Sequence, residues 1–386
     1  MSLPIMLHHR EALLRQRTPC YCYDLSLLRA TLKAINREIE GYPFKVHYAV
    51  KANGNPTILN EVKAAGLGVD LVSGHEIEAA LAAGFAPGDM AFAGVGKADW
   101  EIETGLDCGI GCFNVESADE LEVINEIAAA RGKTARVALR VNPDIDAHTH
   151  SYITTGTAAN KFGIDLSLLD GVVDRASRLP HIHLSGLHFH LGSQITGMEP
   201  FEALCLKINE LLTHFEQRGI HFEMIDAGGG LGVDYENPEA HPMARFGEFF
   251  GVFKRLLKLR PGQVAHFELG RSIVAQCGAL ISRVLFVKEA PTKRFAILDA
   301  GMSDLLRPAL YGSHHKIVNL TSGERETLAY DVVGPICESS DVFAHDERLP
   351  LTRRGDLVAI LSAGAYGESM ASTYNMRPLP QSHFFE

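Results

Sequence analysis

Short apolar runs alternate with segments of helical spacing through the first two thirds of the chain. The runs are rich in β-branched and aromatic residues and predict eight strands, at 46–50, 68–72, 90–94, 110–114, 135–141, 184–191, 223–227 and 264–268. Between them, apolar residues recur at steps of three and four in 76–84, 119–131 and 201–218, which predicts helices. Ser117 is a candidate N-cap of the second helix, and Glu120 is placed to complete a capping box.

This alternation is typical of an α/β fold. Strands that alternate with helices pair in parallel through right-handed crossovers, and about eight such units in roughly 240 residues make a TIM (β/α)8 barrel. After Gly270 the pattern changes to short strands at 279–287, 294–298, 327–333 and 356–360, which predicts a second, mostly β domain. The strand-like segment 18–23 is a candidate for the same sheet. We therefore predict a barrel over 26–272 and a β domain formed by 1–25 and 273–386.

Composition and charge narrow the class of protein. The chain has 386 residues, and 36 Lys and Arg against 47 Asp and Glu give a net charge of −11. This charge argues against nucleic acid or an anionic membrane as the main partner, because both require a basic surface. No apolar run is long enough for a transmembrane helix, and the first residues do not resemble a secretion signal. The seven cysteines form no disulfide framework and no Cys-x-x-Cys pair, so we expect reduced thiols in a cytoplasmic protein.

Polar residues stand at the carboxyl ends of several predicted barrel strands. They are Lys51, Arg140, Asn142, His188, His190, Ser193, the glycine run 228–232, Glu268 and Arg271. In a barrel these ends converge on one mouth, where the active residues lie. Taken alone, a lysine after an apolar strand is normally a surface residue, and a triple glycine is normally a tight turn. Together they predict a functional site.

These residues suggest pyridoxal 5'-phosphate (PLP) as the cofactor. Consecutive glycines let backbone N–H groups approach a phosphate closely, and Ser193 and Arg271 can also bind its oxygens. Lys51 can form a Schiff base with the aldehyde, and partial burial in an apolar pocket would lower its pKa enough for attack. Glu268 can keep the pyridine nitrogen protonated, so that the ring withdraws electrons from the substrate.

Several motifs carry a resemblance to a known family. The segments 48–53 (YAVKAN) and 188–193 (HFHLGS), the glycine run and Glu268-x-Gly270-Arg271 resemble the fold-type III PLP-dependent decarboxylases, the group of the alanine racemase-like barrels. In the second domain, 299–311 (DAGMSDLLRPALY), 334–341 (GPICESSD) and 364–367 (GAYG) resemble substrate-binding segments of the diaminopimelate decarboxylase family. The resemblance spans about 18–378. One departure is Leu269, where the family usually has proline; that position supplies no side-chain chemistry.

The resemblance implies a role for each matching residue. Lys51 would carry PLP, His190 would stack on its ring and Glu268 would pair with its nitrogen. The phosphate would be bound by Ser193, Gly229, Gly230, Gly270 and Arg271. The distal carboxylate of the substrate would be bound by Arg271, Arg307 and Tyr311, with Glu338 on the distal ammonium and Tyr366 touching both cofactor and substrate. Cys337, supplied across a dimer interface, would be the proton donor.

The implied reaction is decarboxylation of meso-2,6-diaminopimelate to L-lysine and CO2, the last step of lysine biosynthesis, in a homodimer with shared active sites. The alternatives are a related decarboxylase of ornithine, arginine or carboxynorspermidine, an amino-acid racemase, and a homologue that has lost catalysis. His188 could equally be a core histidine. The adjacent pairs His8-His9 and His314-His315 lack companion carboxylates at ligand spacing, so we expect no metal site.

Overall fold

The computed structural model describes residues 10–145 and 161–386. The chain divides into two compact units. The first comprises Leu32–Gly232 and Arg245–Gly270, and the second comprises Met1–Thr31, Val233–Ala244 and Arg271–Glu386. Residues 233–244 lie inside the range predicted for the barrel but group with the second unit.

The first unit is a closed barrel of eight parallel strands, which confirms the predicted fold. Each strand neighbours the next along the chain, and the last pairs with the first. The strands are Phe44–Ala49, Gly68–Leu71, Met90–Phe92, Cys112–Val115, Ala135–Asn142, Ile182–His188, Met224–Gly229 and Val264–Leu269. A two-residue strand, Ile164–Asp165, also pairs with Ala135–Asn142. The strand predicted at 184–191 ends earlier, so His190 lies in the loop that follows it.

Helices connect the barrel strands. They are Pro56–Ala64, Gly74–Ala82, Asp99–Cys108, Ala118–Ala130, Leu166–Ala176, Glu199–Gln217 and Phe246–Leu256, with short 3-10 turns at Val50–Ala52 and Pro87–Asp89. The helix Leu25–Ile39 contains residues of both units. The predicted cap is confirmed, since Ser117 Oγ accepts a hydrogen bond from Glu120 N at 3.1 Å. The predicted capping box is wrong, because the Glu120 carboxylate accepts from Glu116 N and pairs with Lys97.

An aromatic cluster anchors the last barrel strand. Side chains alternate along a strand, so Phe267 and Glu268 point to opposite faces of Val264–Leu269. The Phe267 ring packs edge-on against Phe249, Phe250 and Phe253 of one helix, with centroid distances of 5.8, 5.2 and 4.8 Å. Aromatic pairs of this geometry add about 0.5–1.5 kcal/mol beyond their area burial. The packing therefore fixes the strand that carries Glu268.

The second unit contains one mostly antiparallel eight-stranded sheet. Its strands are Cys20–Asp24, Gly278–Glu289, Arg294–Leu298, Ile317–Asn319, Thr327–Val333, Val342–Pro350, Leu357–Ile360 and Gln381–Phe385. The segment predicted at 18–23 joins this sheet, since Cys20–Asp24 pairs with Gly278–Glu289. Short helices lie at Arg10–Leu14, Arg271–Val274 and Arg307–Tyr311, with 3-10 turns at Glu368–Met370 and Tyr374–Met376. Cys20, Cys22, Ile281, Leu357 and Ala359 contribute to its core.

Two further expectations concern the membrane and the thiols. Within 10–145 and 161–386, no helix has the length and apolar character needed to cross a membrane. All seven cysteines belong to the described residues and are free thiols. Five of them are buried, whereas Cys108 is half-buried and Cys337 is exposed.

Candidate active site

Lys51 follows the first barrel strand and lies in the 3-10 turn Val50–Ala52. Its side chain is 37% exposed, and its Nζ lies 3.4 Å from Oδ2 of the fully buried Asp70. Parallel register brings the two together, because Ala49 pairs with Asp70 on the neighbouring strand. Burial raises the pKa of Asp70, and the charge of Glu268 raises it further. The surroundings of the Lys51 amine are therefore not wholly apolar, since a buried carboxyl group lies next to it.

Glu268 is buried at the end of the last strand among polar partners. Its carboxylate accepts hydrogen bonds from Asn114 Nδ2 at 3.0 Å and from His188 Nε2 at 3.3 Å. Burial alone would raise the pKa of Glu268, but the His188 imidazole and its hydrogen bond lower it below its usual range. Glu268 is therefore a buried, ionised carboxylate.

Asp226 adds a second carboxyl group to the same cluster. Donor atoms of His188, Asp226 and Glu268 lie within 4.8 Å of one another, and all three residues are buried. Burial, followed by the charge of Glu268, raises the pKa of Asp226 well above its usual value. By residue type this set could hold a metal ion. The neighbouring Asp70, whose pKa is also raised, interacts with both acids of this set. The raised pKa values of Asp70 and Asp226 leave Glu268 as the ionised carboxylate, which suits a protonated ring nitrogen.

His190 lies just beyond the strand end, beside this cluster. Burial lowers the pKa of His190 to about 3, and the charge of Arg140 contributes to the shift. The ring is therefore neutral near pH 7. Its Nδ1 accepts a hydrogen bond from Gly229 N at 3.4 Å, which ties the ring to the glycine run. A neutral, flat ring held in this way is suited to stacking on an aromatic cofactor.

The loops that carry Ser193 and Gly230 are held together by backbone hydrogen bonds. Ile195 N donates to Gly230 O at 2.8 Å, and Gly232 N donates to Ile195 O at 2.9 Å. Gly230 has a φ of +103°, and a Cβ there would lie 2.5 Å from Gly192 O. Only glycine allows this close approach. The two loops therefore lie side by side, and Ser193 between them is half-buried.

Gly270 serves the lysine turn in a similar way. A Cβ at Gly270 would lie 3.0 Å from the Ala52 methyl carbon and 3.1 Å from that of Ala49. The absence of a side chain lets the end of the last strand pack against the turn that holds Lys51.

Arg140, the other arginine predicted at the barrel mouth, forms a buried ion pair. Its Nη1 lies 2.6 Å from Glu116 Oε1, and both side chains are less than a tenth exposed. The other Glu116 oxygen accepts from Gly163 N at 2.9 Å. Arg140 therefore neutralises a carboxylate of the protein.

A cationic cluster lies in the second unit. Arg271 and Arg307 are 6% and 4% exposed, and each donates from Nη1 to the hydroxyl oxygen of Tyr235, at 2.8 and 2.9 Å. The Arg271 guanidinium also lies 4.9 Å from the ring centre of Tyr366. Arg307 donates to His315 Nε2 at 2.8 Å as well, while its Nε has no hydrogen-bond partner among the described residues. Tyr311, the third predicted carboxylate ligand, is half-buried at the end of the helix that begins with Arg307.

The loop with Cys337 and Glu338 is shaped by Asp341. This buried carboxylate accepts from Ile336 N at 2.7 Å and from Met302 N at 2.6 Å. Cys337 and Glu338 are exposed. Cys337 N donates to Asn375 Oδ1, and Tyr374 donates its hydroxyl to Glu338. The loop therefore presents a thiol and a carboxylate to solvent.

The structure thus groups the predicted residues into three sets. Lys51, His190, Ser193, Gly229, Gly230, Glu268 and Gly270 lie at the carboxyl end of the barrel, Arg271, Arg307 and Tyr366 with the cationic cluster, and Cys337 with Glu338 on an exposed loop. Sequence reasoning missed Asp70, Asn114, Asp226, Tyr235 and the hydrogen-bonding role of His315. Asp70 and Asn114 lie at strand ends, so the same rule that found Lys51 could have found them. Tyr235 carries no local signal.

Comparisons with known proteins agree with this architecture. Residues 25–275 match the family model described as "Pyridoxal-dependent decarboxylase, pyridoxal binding domain". A curated diaminopimelate decarboxylase from Bacteroides thetaiotaomicron is 57% identical over 95% of each chain. A second, from Zymomonas mobilis, is 43% identical over 94% of this chain and 86% of its own. The crystal structure of the Helicobacter pylori diaminopimelate decarboxylase complexed with L-lysine superposes with a TM-score of 0.92 at 39% identity, covering 98% of this chain and 94% of that one. The chain therefore belongs to the pyridoxal-dependent decarboxylases and, within them, to the diaminopimelate decarboxylase family.

Proposed function

We propose that this protein removes one carboxylate from meso-2,6-diaminopimelate and releases CO2 and L-lysine, with PLP as its cofactor. The observation that carries the choice of substrate is the guanidinium pair. Two buried arginines share one phenol oxygen, and Arg307 has an Nε–H that lacks a partner among the described residues. A buried donor without a partner costs about 1–3 kcal/mol, and a carboxylate from a ligand would satisfy it. Ornithine and arginine have no carboxylate at their distal end.

The barrel residues fit PLP by their chemistry. Backbone N–H groups of the glycine turn would bind the phosphate. A side chain at Gly230 would fill the space beside Gly192, so glycine keeps this part of the turn open. Lys51 would bind the aldehyde, His190 would lie on the ring, and Glu268 would accept from the ring nitrogen. Ser193, Gly229, Gly230, Gly270 and Arg271 would surround the phosphate. When bound, PLP supplies an electron sink for the bond pair left behind by CO2.

The residues of the chain would orient the substrate and handle its protons. Arg271, Arg307 and Tyr311 would bind the distal carboxylate, Glu338 the distal ammonium, and Tyr366 both cofactor and substrate. Holding the distal end fixed would align the scissile bond, an orientation effect that lowers the barrier. The Cys337 thiol or the Lys51 amine would then return a proton to the reacting carbon.

A product assay tests the reaction directly. Purified protein with PLP and meso-diaminopimelate should release CO2 and L-lysine in equal amounts. Release of putrescine from ornithine with no reaction on diaminopimelate would show a related decarboxylase instead, and inversion without CO2 would show a racemase.

We further propose a cytoplasmic homodimer with shared active sites. The exposed Cys337 and Glu338 support this proposal, because in the family such residues complete the site of a second subunit. The seven free thiols are typical of a reducing compartment. Mixing inactive Lys51→Ala and Cys337→Ala proteins should restore part of the activity after subunit exchange. No recovery would remove the shared-site proposal.

A further inference from the structure

Tyr235 stands at the centre of the cationic cluster, and its hydrogen bonds are unusual for a phenol. Arginine only donates hydrogen bonds, so the two guanidiniums occupy both lone pairs of the Tyr235 oxygen. No described residue accepts the hydroxyl hydrogen of Tyr235. An oxygen that accepts two charged donors and has no acceptor for its own proton favours the phenolate form.

The neighbours of Tyr235 are consistent with an anionic oxygen. Burial by itself would raise the pKa of Tyr235, but the charges of Arg271 and Arg307 lower it. Among the described residues, the other titratable groups that interact with the cluster are His315, Tyr366, Tyr311, Tyr21 and His314. No carboxylate of the described residues lies within salt-bridge distance of Arg307. The phenol oxygen is therefore the nearest group that can offset the two buried positive charges.

His315 fixes the other side of Arg307. Because Arg307 can only donate, the Nε2 of His315 must carry a lone pair, so the hydrogen of the ring is on Nδ1. That Nδ1 donates to Leu361 O at 2.9 Å. Burial and the charge of Arg307 lower the pKa of His315 to about 3, so the ring is neutral near pH 7. His315 therefore aligns one Nη of Arg307 without competing for a carboxylate.

We propose that Tyr235 and His315 are positioning residues for carboxylate recognition: the Tyr235 oxygen acts as a built-in anion that joins Arg271 to Arg307, and neutral His315 orients Arg307 so that its free Nε–H meets the distal carboxylate. With Tyr235 counted as an anion, the cluster carries one net positive charge, which matches one ligand carboxylate. The inference rests on the proposed function for the identity of that carboxylate.

The test measures ligand binding to holoenzyme by calorimetry, so it does not depend on turnover. L-lysine retains the distal carboxylate, whereas cadaverine is the same chain without it. Tyr235→Phe should weaken L-lysine binding about tenfold or more, which is about 1.4 kcal/mol, and change cadaverine binding less than twofold. Tyr330→Phe is the matched control, because it removes another buried phenol hydroxyl of the same unit, one bonded to Thr352 N; it should change neither.

His315 supplies a second, independent pair of variants. Gln can donate to Leu361 O and accept from Arg307, so His315→Gln should bind L-lysine within about threefold of wild type. His315→Leu can do neither and should weaken L-lysine binding about tenfold, again sparing cadaverine. These variants keep the proposal testable if Tyr235→Phe fails to fold. Near-ultraviolet difference spectra should show tyrosinate near pH 7 in wild type and in Tyr330→Phe, but not in Tyr235→Phe.

Several results would overturn the proposal. They are unchanged L-lysine binding by Tyr235→Phe, equal losses of L-lysine and cadaverine, equal damage from His315→Gln and His315→Leu, or no tyrosinate signal in wild type. Failure of the proposed function would look different: wild type would release no CO2 from diaminopimelate, whatever these binding ratios were.

Discussion

The barrel end and the cationic cluster bury charges of opposite sign. Besides Glu116, which pairs with Arg140, the barrel end buries Asp70, Asp226 and Glu268. Burial raises the pKa of Asp70 and Asp226, so Glu268 is the member of this group that stays ionised. The second unit buries two guanidiniums and offsets them with a phenol oxygen and a neutral imidazole. In each region the protein leaves one net charge for a ligand. The difference indicates that the barrel is suited to a protonated nitrogen and the cluster to a carboxylate.

Glu268→Gln removes the ionised carboxylate of the barrel end and should lower activity more than the other variants. A neutral amide cannot hold the ring nitrogen protonated, so kcat should fall about 10³-fold, the upper range for loss of one preorganised electrostatic contact. Steady-state kinetics together with PLP content measure it, and PLP should stay bound. The matched control is Glu101→Gln, which alters a helix-capping carboxylate of the same unit and should leave kcat unchanged. A kcat within tenfold of wild type would argue against the role of Glu268.

Arg307→Ala removes one guanidinium of the cationic cluster. It should have a smaller effect, which falls on KM and not on kcat. Loss of a buried charge partner costs about 2–5 kcal/mol, so kcat/KM for diaminopimelate should fall about 10²-fold, mainly through KM. PLP content should stay at the wild-type level. Arg283→Ala, which removes a half-buried arginine of the same unit that donates to Gly355 O, is the control. If activity and PLP content fell together, Arg307 would be assigned to the cofactor instead.

Asp226→Asn tests whether Asp226 is protonated in the folded protein, through the pH dependence of stability. Above pH 3.8 the unfolded chain releases the Asp226 proton while the folded protein keeps it, so wild type loses up to about 1.4 kcal/mol of stability per pH unit as the pH rises. The variant lacks this slope, and its amide oxygen can still accept from Gly228 N. In urea unfolding from pH 4 to 7, the free energy of unfolding of the variant should rise relative to that of wild type as the pH rises. Parallel curves would mean that Asp226 is ionised in the fold.

For His315→Gln, the stability difference from wild type should change with pH in the opposite direction and over a narrower pH range. The folded pKa of His315 is lowered to about 3, so below about pH 6.5 the unfolded chain takes up a proton that the folded protein does not. Wild type therefore loses stability as the pH falls, by up to about 1.4 kcal/mol per unit. As the pH falls from 7 to 5, the free energy of unfolding of the variant should rise relative to that of wild type. A difference that does not vary with pH would indicate a charged His315.

The sequence predicted the barrel well because its signals are local. Apolar runs and helical spacing are properties of neighbouring residues, and all eight barrel strands lie close to their predicted positions. The errors arose where tertiary contacts decide. Glu120 leaves the predicted capping box because Lys97, 23 residues away, pairs with its carboxylate. The strand predicted to reach residue 191 ends at His188, and the His190 ring instead accepts a hydrogen bond from Gly229 at the end of the neighbouring strand.

The site could be predicted in part for the same reason. Strand-end position and family motifs named Lys51, Glu268 and Arg307, which lie in segments that can be recognised along the chain. The Tyr235 contacts join residues 36 and 72 positions apart, and nothing in the local pattern distinguishes this tyrosine from the other nine. His315 was considered only as one of a possible pair of metal ligands, because its partner Leu361 O is a backbone atom that a sequence does not display.

We propose that the amine of Lys51 binds the cofactor at the carboxyl end of the barrel. Borohydride reduction of the PLP-loaded protein, followed by proteolysis and mass spectrometry, measures this most directly. We expect one reduced pyridoxyl adduct per chain, on the peptide that contains Lys51, and none in Lys51→Ala. An adduct on a different lysine, or an unmodified Lys51 in active protein, would contradict the account.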